Sequence, residues 1–264
     1  MLSYAHARQA HCWIAVSTEK GTAIMQSAPR PEAQAVARQF VAAHFPTCLA
    51  ALLGGSVAGQ GGGLGADLDI VIVDPHVTPH WATHELAGWP IEIFALTPDT
   101  YRHAFTLDQR RRWPLHLNLC RTAIALTDRD GLAQTMRDEA HKWYAQGPSP
   151  LSADEIAAAR YTLTWMVDDL ADASDPDDLH LIGHDLAQQA VDSYLLAHQQ
   201  WLGKGKWRMR QLHEANPSIA RDVTQALVAL REGNKQPLLQ FGALTLDQLG
   251  GRGFAGRYFA YQFD

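Results

Sequence analysis

The spacing of hydrophobic positions changes character along the chain, and those changes define its predicted elements. "PEAQAVARQFVAAHF" puts Val36, Phe40, Val41 and Phe45 at helical spacing and stops before Pro46, which predicts a helix. Short apolar and β-branched runs bounded by turn residues follow. "TCLAALL" runs into Gly54, "DLDIVIV" ends at Asp74 and Pro75, "PIEIFAL" covers 90–96, and "CRTAIAL" covers 120–126 before the turn "TDRDG". Each predicts a strand. Beyond "GPSPLSADE", which reads as a linker, the rhythm becomes helical. Ser152 and Glu155 form an S-x-x-E capping box, and Ile156, Leu163, Met166 and Leu170 recur at helical spacing. Further helices are predicted near 179–202, near 206–215 and in "SIARDVTQALVALRE".

This order gives an α+β fold class. An N-terminal mixed β-sheet with flanking helices spans 30–147, and an all-α helical bundle spans 148–264. Residues 1–29 have weak periodicity and are expected to be a loosely ordered extension. The 264 residues suffice for one large or two modest cores.

Composition narrows the class. No apolar run approaches the ~18 to 20 residues of a membrane span, so the chain is expected to be soluble and cytoplasmic. The three cysteines, Cys12, Cys48 and Cys120, are odd in number and form no CxxC pair, which argues against a disulfide framework or a cysteine-rich zinc site. A net charge of −6 argues against a general nucleic-acid binder. The charges are also segregated. Eight aspartates lie between Asp168 and Asp192 with no Lys or Arg among them, and the basic "GKGKWRMR" follows soon after.

The predicted strand "DLDIVIV" carries a conflict. Side chains alternate along a strand, so Asp67 and Asp69 share one face while Leu68, Ile70 and Ile72 take the other. Two like charges in a half-buried sheet cost several kcal/mol unless cations or hydrogen bonds compensate. A hard divalent ion such as magnesium suits a pair of carboxylates and takes phosphate oxygens at its remaining positions. Gly54, Gly55 and Ser56 end the preceding strand, where backbone N–H groups and a hydroxyl can approach a phosphate closely. Glu92, on the next strand, can bring a third carboxylate. Three carboxylates beside such a turn describe metal-assisted phosphoryl or nucleotidyl transfer.

"GGS", an intervening loop over 57–66, then "DLD" and "IVIV" resemble the signature of the DNA polymerase β-type nucleotidyltransferase superfamily, and "PIEIFAL" matches its later acidic strand. The resemblance covers roughly residues 33–130. It implies that Gly55 and Ser56 hold a nucleoside triphosphate and that Asp67 and Asp69 bind two magnesium ions. Glu92 becomes a third metal ligand or the general base. Two departures stand out: Gly59 and Ala66 occupy places where members often carry arginine and serine. The helical half resembles the substrate domain of small bacterial nucleotidyltransferases, including aminoglycoside adenylyltransferases. That likeness makes Lys206 the candidate triphosphate contact, with Lys204 and Arg210 as neighbours.

The expected reaction is transfer of a nucleoside monophosphate, AMP from ATP, to a hydroxyl of a small polar acceptor such as an aminoglycoside. Asp185 and Asp192, two turns apart on one helix, are candidate acceptor contacts. The alternatives are AMP transfer to a partner protein and a catalytically silent nucleotide-binding regulator. "RMRQLH" fits the R-x4-H spacing of HEPN ribonucleases but has Met209 where those proteins have a polar residue. "DQRRRW" suits a surface helix or a triphosphate contact.

Overall fold

A computed structural model of the protein describes residues 30–60 and 65–253. The extension 1–29 and four residues of the glycine loop, 61–64, lie outside the described residues.

The polypeptide alternates first and then turns wholly helical. The order is α1 (Ala33–His44), β1 (Ala50–Leu53), α2 (Gly55–Gln60), β2 (Leu68–Val73), β3 (His80–Leu86), β4 (Trp89–Leu96), α3 (Tyr101–Arg111), α4 (Leu115–Arg121), β5 (Ile124–Asp128) and α5 (Leu132–Gln146). Then come α6 (Ala153–Asp172), α7 (Pro176–Ala197), α8 (Lys206–Ala215), α9 (Pro217–Arg231) and α10 (Gln236–Gln248). The mixed sheet runs β3-β4-β2-β1-β5; β2 and β4 are parallel, and the remaining neighbours are antiparallel. Among the described residues, no helix is long and apolar enough to cross a membrane.

Alternation along β2 feeds two cores. Leu68, Ile70 and Ile72 pack with Ile91 and Ile93 against Val36, Phe40 and Val41 of α1. Val71 and Val73 point the other way, into a cluster with Phe94, Phe105, Leu117 and Met136 from β4, α3, α4 and α5. A third cluster joins α6, α7, α9 and α10 through Leu163, Leu186, Leu230 and Phe241, with Leu212 of α8. Burial of this kind supplies roughly 25 cal/mol for each Å² of apolar surface removed from water.

Several elements differ from the sequence expectation. Strand β3 has no counterpart there, because its side chains are mostly exposed and its sequence, HWATHEL, mostly polar. Its pairing with β4 is fixed by a two-residue turn, Ala87 and Gly88, both at positive φ, which suits the twist of a hairpin. "CRTAIAL" divides: Cys120 and Arg121 end α4, and the strand starts at Ile124. The second bundle helix stops at Ala197 rather than near 202, leaving Trp201 in a connecting segment. The segment "GPSPLSADE" is tied down. Ser149 N–H donates to Gln109 O, and Arg112 donates to Ser149 O, Pro150 O and both carboxylate oxygens of Glu155. Arg112 first, and then the Ser152 N–H, pull the Glu155 carboxyl down to about 2. The Ser152–Glu155 capping box forms as expected.

Candidate active site

One end of the sheet gathers the acidic residues. Asp69 lies level with Glu92 across the parallel β2–β4 pair, and Glu92 lies opposite Thr83 on β3. Residues opposite one another share a face, so the face that carries Val71, Val73 and Phe94 into the core ends in carboxylates. Asp67 stands just before β2, and each of the three acids offers an oxygen within 4.8 Å of the others. This is the donor set that the like-charge conflict in the sequence called for. Three hard oxygen donors so close together fit a divalent cation such as magnesium.

The electrostatics express the crowding. Burial first, then repulsion from Asp67 and Glu92, pushes the Asp69 carboxyl up to about 7, while Lys206 pulls it down. Burial and then Asp67 raise Glu92, opposed by a hydrogen bond from the Trp81 indole. Without a cation the cluster therefore tends to retain protons.

The glycines are fitted to this cluster. Gly54 donates its N–H to Asp69 O at 2.8 Å, and a Cβ on Gly54 would strike the backbone of Leu119 in α4. Gly55 has φ +69°, and a Cβ there would overlap the Asp69 carboxylate. The turn can therefore press against the acids only with glycine at both places. A cleft of about 1070 Å³ opens beside it, lined by Ser56, Asp67 and Asp69 on the sheet side and by α4 and α8 opposite.

Helix α8 reaches this cleft because the chain before it is pinned. Trp201 is buried, stacks on Tyr144 and donates its indole N–H to Tyr144 O at 2.9 Å. Leu202 N–H donates to Arg112 O, and the Lys204 ammonium sits 4.1 Å from the centre of the Trp113 ring. Lys206 and Arg210, one turn apart, then both line the cleft. Arg208 between them turns away to Asp192, with bonds of 2.8 and 3.0 Å, and to Gln188. Arg121 of α4 also lines the cleft; its Nε donates to Asn118 and its guanidinium lies 4.1 Å from the centre of the Tyr144 ring.

Of the residues singled out in the sequence, Asp67, Asp69 and Glu92 come together, and Gly55, Ser56 and Lys206 share a cleft with the two aspartates. Asp185 is exposed on α7, Asp192 is engaged by Arg208, and neither lines the cleft. Arg208 of the R-x4-H pattern is the same ion-paired residue, and His213 is exposed. Gly59 lines the cleft with open space around a Cβ. Sequence reasoning missed Arg121, hidden in an apolar run that reads as strand, and Trp81, which stands on the unexpected strand.

No protein-family model matches the chain, and no curated protein does. Among solved structures, it is similar to a nucleotidyltransferase-like protein from Exiguobacterium sibiricum 255-15, with a TM-score of 0.39 and 10% identity over 82% of this chain and 77% of that one.

Proposed function

We propose that the protein is a magnesium-dependent nucleotidyltransferase that moves AMP from ATP to a hydroxyl of a small polar acceptor. The observation that carries this reading is the convergence of Asp67, Asp69 and Glu92 within 4.8 Å, beside a turn that glycine alone can make. Held at Asp67 and Asp69, magnesium would polarise the phosphate oxygens and neutralise charge that develops during transfer, leaving Glu92 beside it as the base.

The chain's own groups supply the rest. Gly55 and Ser56 offer a backbone N–H and a hydroxyl to the triphosphate. Lys206, Arg210 and Arg121 face the same space and offset its remaining charge. Among the described residues, none of these three cations has a carboxylate within ion-pair distance. The acceptor oxygen attacks the α-phosphorus, its proton passes to Glu92, and the bond to the bridging oxygen breaks as pyrophosphate leaves. Burial and the neighbouring Asp67 raise the proton affinity of the Glu92 carboxyl, the direction a base needs. Aminoglycosides are one acceptor class for assay. The positions of Asp185 and Asp192 lend their recognition no support, since neither residue reaches the cleft.

The test is incubation with magnesium and α-labelled ATP, alone and with acceptors, followed by pyrophosphate measurement and mass spectrometry of the products. The reading requires magnesium-dependent pyrophosphate release that Asp67→Ala and Asp69→Ala abolish. Nucleotide binding without release in every combination overturns it.

A further inference from the structure

The sheet lays out its chemistry in a row. From the β3 edge inward come Trp81 and Thr83, then Glu92, then Asp67 and Asp69; the Gly55–Ser56 turn follows β1, and Arg121 precedes β5. Adjacent strands lie about 4.8 Å apart, so this row spans roughly 19 Å. In-line displacement places the attacking and leaving oxygens on opposite sides of the phosphorus. With the pyrophosphate on the side of Ser56, Lys206 and Arg121, the acceptor approaches from the side of Glu92. A hydroxyl that gives its proton to Glu92 must also lie within hydrogen-bond reach of it.

The side chain beside that position is Trp81. It lies opposite Phe94 on β4, on the same face as Thr83 and Glu92. It is 54% exposed and is the diagonal neighbour of Glu92 across the β3–β4 pair, within reach of an aromatic side chain. Much of the ring is therefore open to solvent on the face that carries the carboxylate. The tryptophans that line the cleft itself, Trp113 between α3 and α4 and Trp207 of α8, carry Lys204 and Arg210 over their rings, so Trp81 is the open indole on the carboxylate side.

We propose that Trp81 is the acceptor-binding residue, and that the acceptor is a cyclic polyol or related ring compound whose apolar face lies on the indole while one hydroxyl meets Glu92. This inference rests on the nucleotidyl-transfer reading. Stacking gathers the ring's C–H surface against the indole, and an open-chain polyol cannot present such a face without losing conformational freedom.

The experiment measures magnesium-dependent pyrophosphate release from ATP with two probes of equal carbon and hydroxyl count, cyclic myo-inositol and open-chain sorbitol. The wild-type protein should favour myo-inositol about tenfold, equivalent to about 1.4 kcal/mol. Trp81→Ala should bring the two within about twofold, and Trp81→Phe, which keeps a ring without the N–H, should retain the preference. Equal use of the two probes by the wild type, stimulation by neither, a preference that survives Trp81→Ala, or its loss in Trp81→Phe overturns the assignment. Absence of magnesium-dependent pyrophosphate release by the wild type with every acceptor of the broader panel, whether or not ATP binds, strikes the transfer reading instead, so the two failures are distinguishable.

Discussion

The α-carbon of Gly55 faces the Asp69 carboxylate so closely that a Cβ on the glycine would overlap one of its oxygens. The turn and the acid are therefore one packed unit. Gly55 also sits at φ +69°, which a side chain would strain. Gly55→Ala should lower stability by about 1–3 kcal/mol and displace Asp69, with at least a hundredfold loss of magnesium-dependent pyrophosphate release. Gly59→Ala, in open space, should stay within about 0.5 kcal/mol of wild type. Urea unfolding and the release assay on both variants check the contrast.

The metal-free fold should lose stability as pH rises. Asp69 titrates near 7 in the folded protein against an ordinary value of 3.8, so between these values the folded state holds a proton that the unfolded chain has shed. Stability then falls with increasing pH across pH 4–7, by a few kcal/mol in all, because each tenfold difference in proton affinity between the two states is worth about 1.4 kcal/mol. Asp69→Asn should flatten the slope and stabilise the metal-free protein at pH 8 while abolishing transfer. Magnesium should raise the wild-type urea midpoint at pH 8 and leave that of the variant nearly unchanged. Midpoints at pH 5 and 8, with chelator or with magnesium, test the sign.

Like charges inside an apolar strand make Asp67 and Asp69 legible in the sequence, because such a pair needs an outside partner. Strands β2 and β4 are equally legible, since buried β-branched runs have few other homes. Strand β3 is not: one face meets solvent, so HWATHEL lacks an apolar stripe, and Trp81 is hidden with it. The seven residues of α4 are too few to show a period, and apolar Cys120 and Ala123 draw Arg121 into a predicted strand. Asp192 is a different case. Its helix face is evident from spacing, but the choice between an acceptor and Arg208 depends on the approach of α8, which no local pattern encodes.

The three basic residues of α8 should separate by face. Lys206 and Arg210 line the cleft, whereas Arg208 bonds Asp192 on the other side. Lys206→Ala should raise the KM for ATP about 10- to 100-fold, the loss of one charge-assisted contact worth about 1.5–3 kcal/mol. Arg208→Ala should leave that KM within about twofold and cost at most about 1 kcal/mol of stability, because both partners are partly exposed. Steady-state kinetics beside urea unfolding distinguish the two sites. A large KM effect from Arg208→Ala would mean that the helix faces are assigned the wrong way round.

Trp201 should behave as a hinge pin for Lys206 while touching no substrate itself. Its ring is buried against Tyr144 and its N–H satisfies Tyr144 O, and the following residue bonds to Arg112 O, so the start of α8 is placed by contacts made five residues earlier. Trp201→Ala removes the ring and leaves a buried carbonyl without its donor, a cost of about 3–5 kcal/mol. Trp201→Phe restores the packing but not the hydrogen bond, at a cost of about 1–2 kcal/mol. Both variants should raise the KM for ATP more than they lower kcat, because Lys206 is misplaced while the carboxylates on β2 and β4 stay where the sheet holds them. A fall in kcat with KM unchanged would show instead that the 201–205 segment acts on the acids and not on α8.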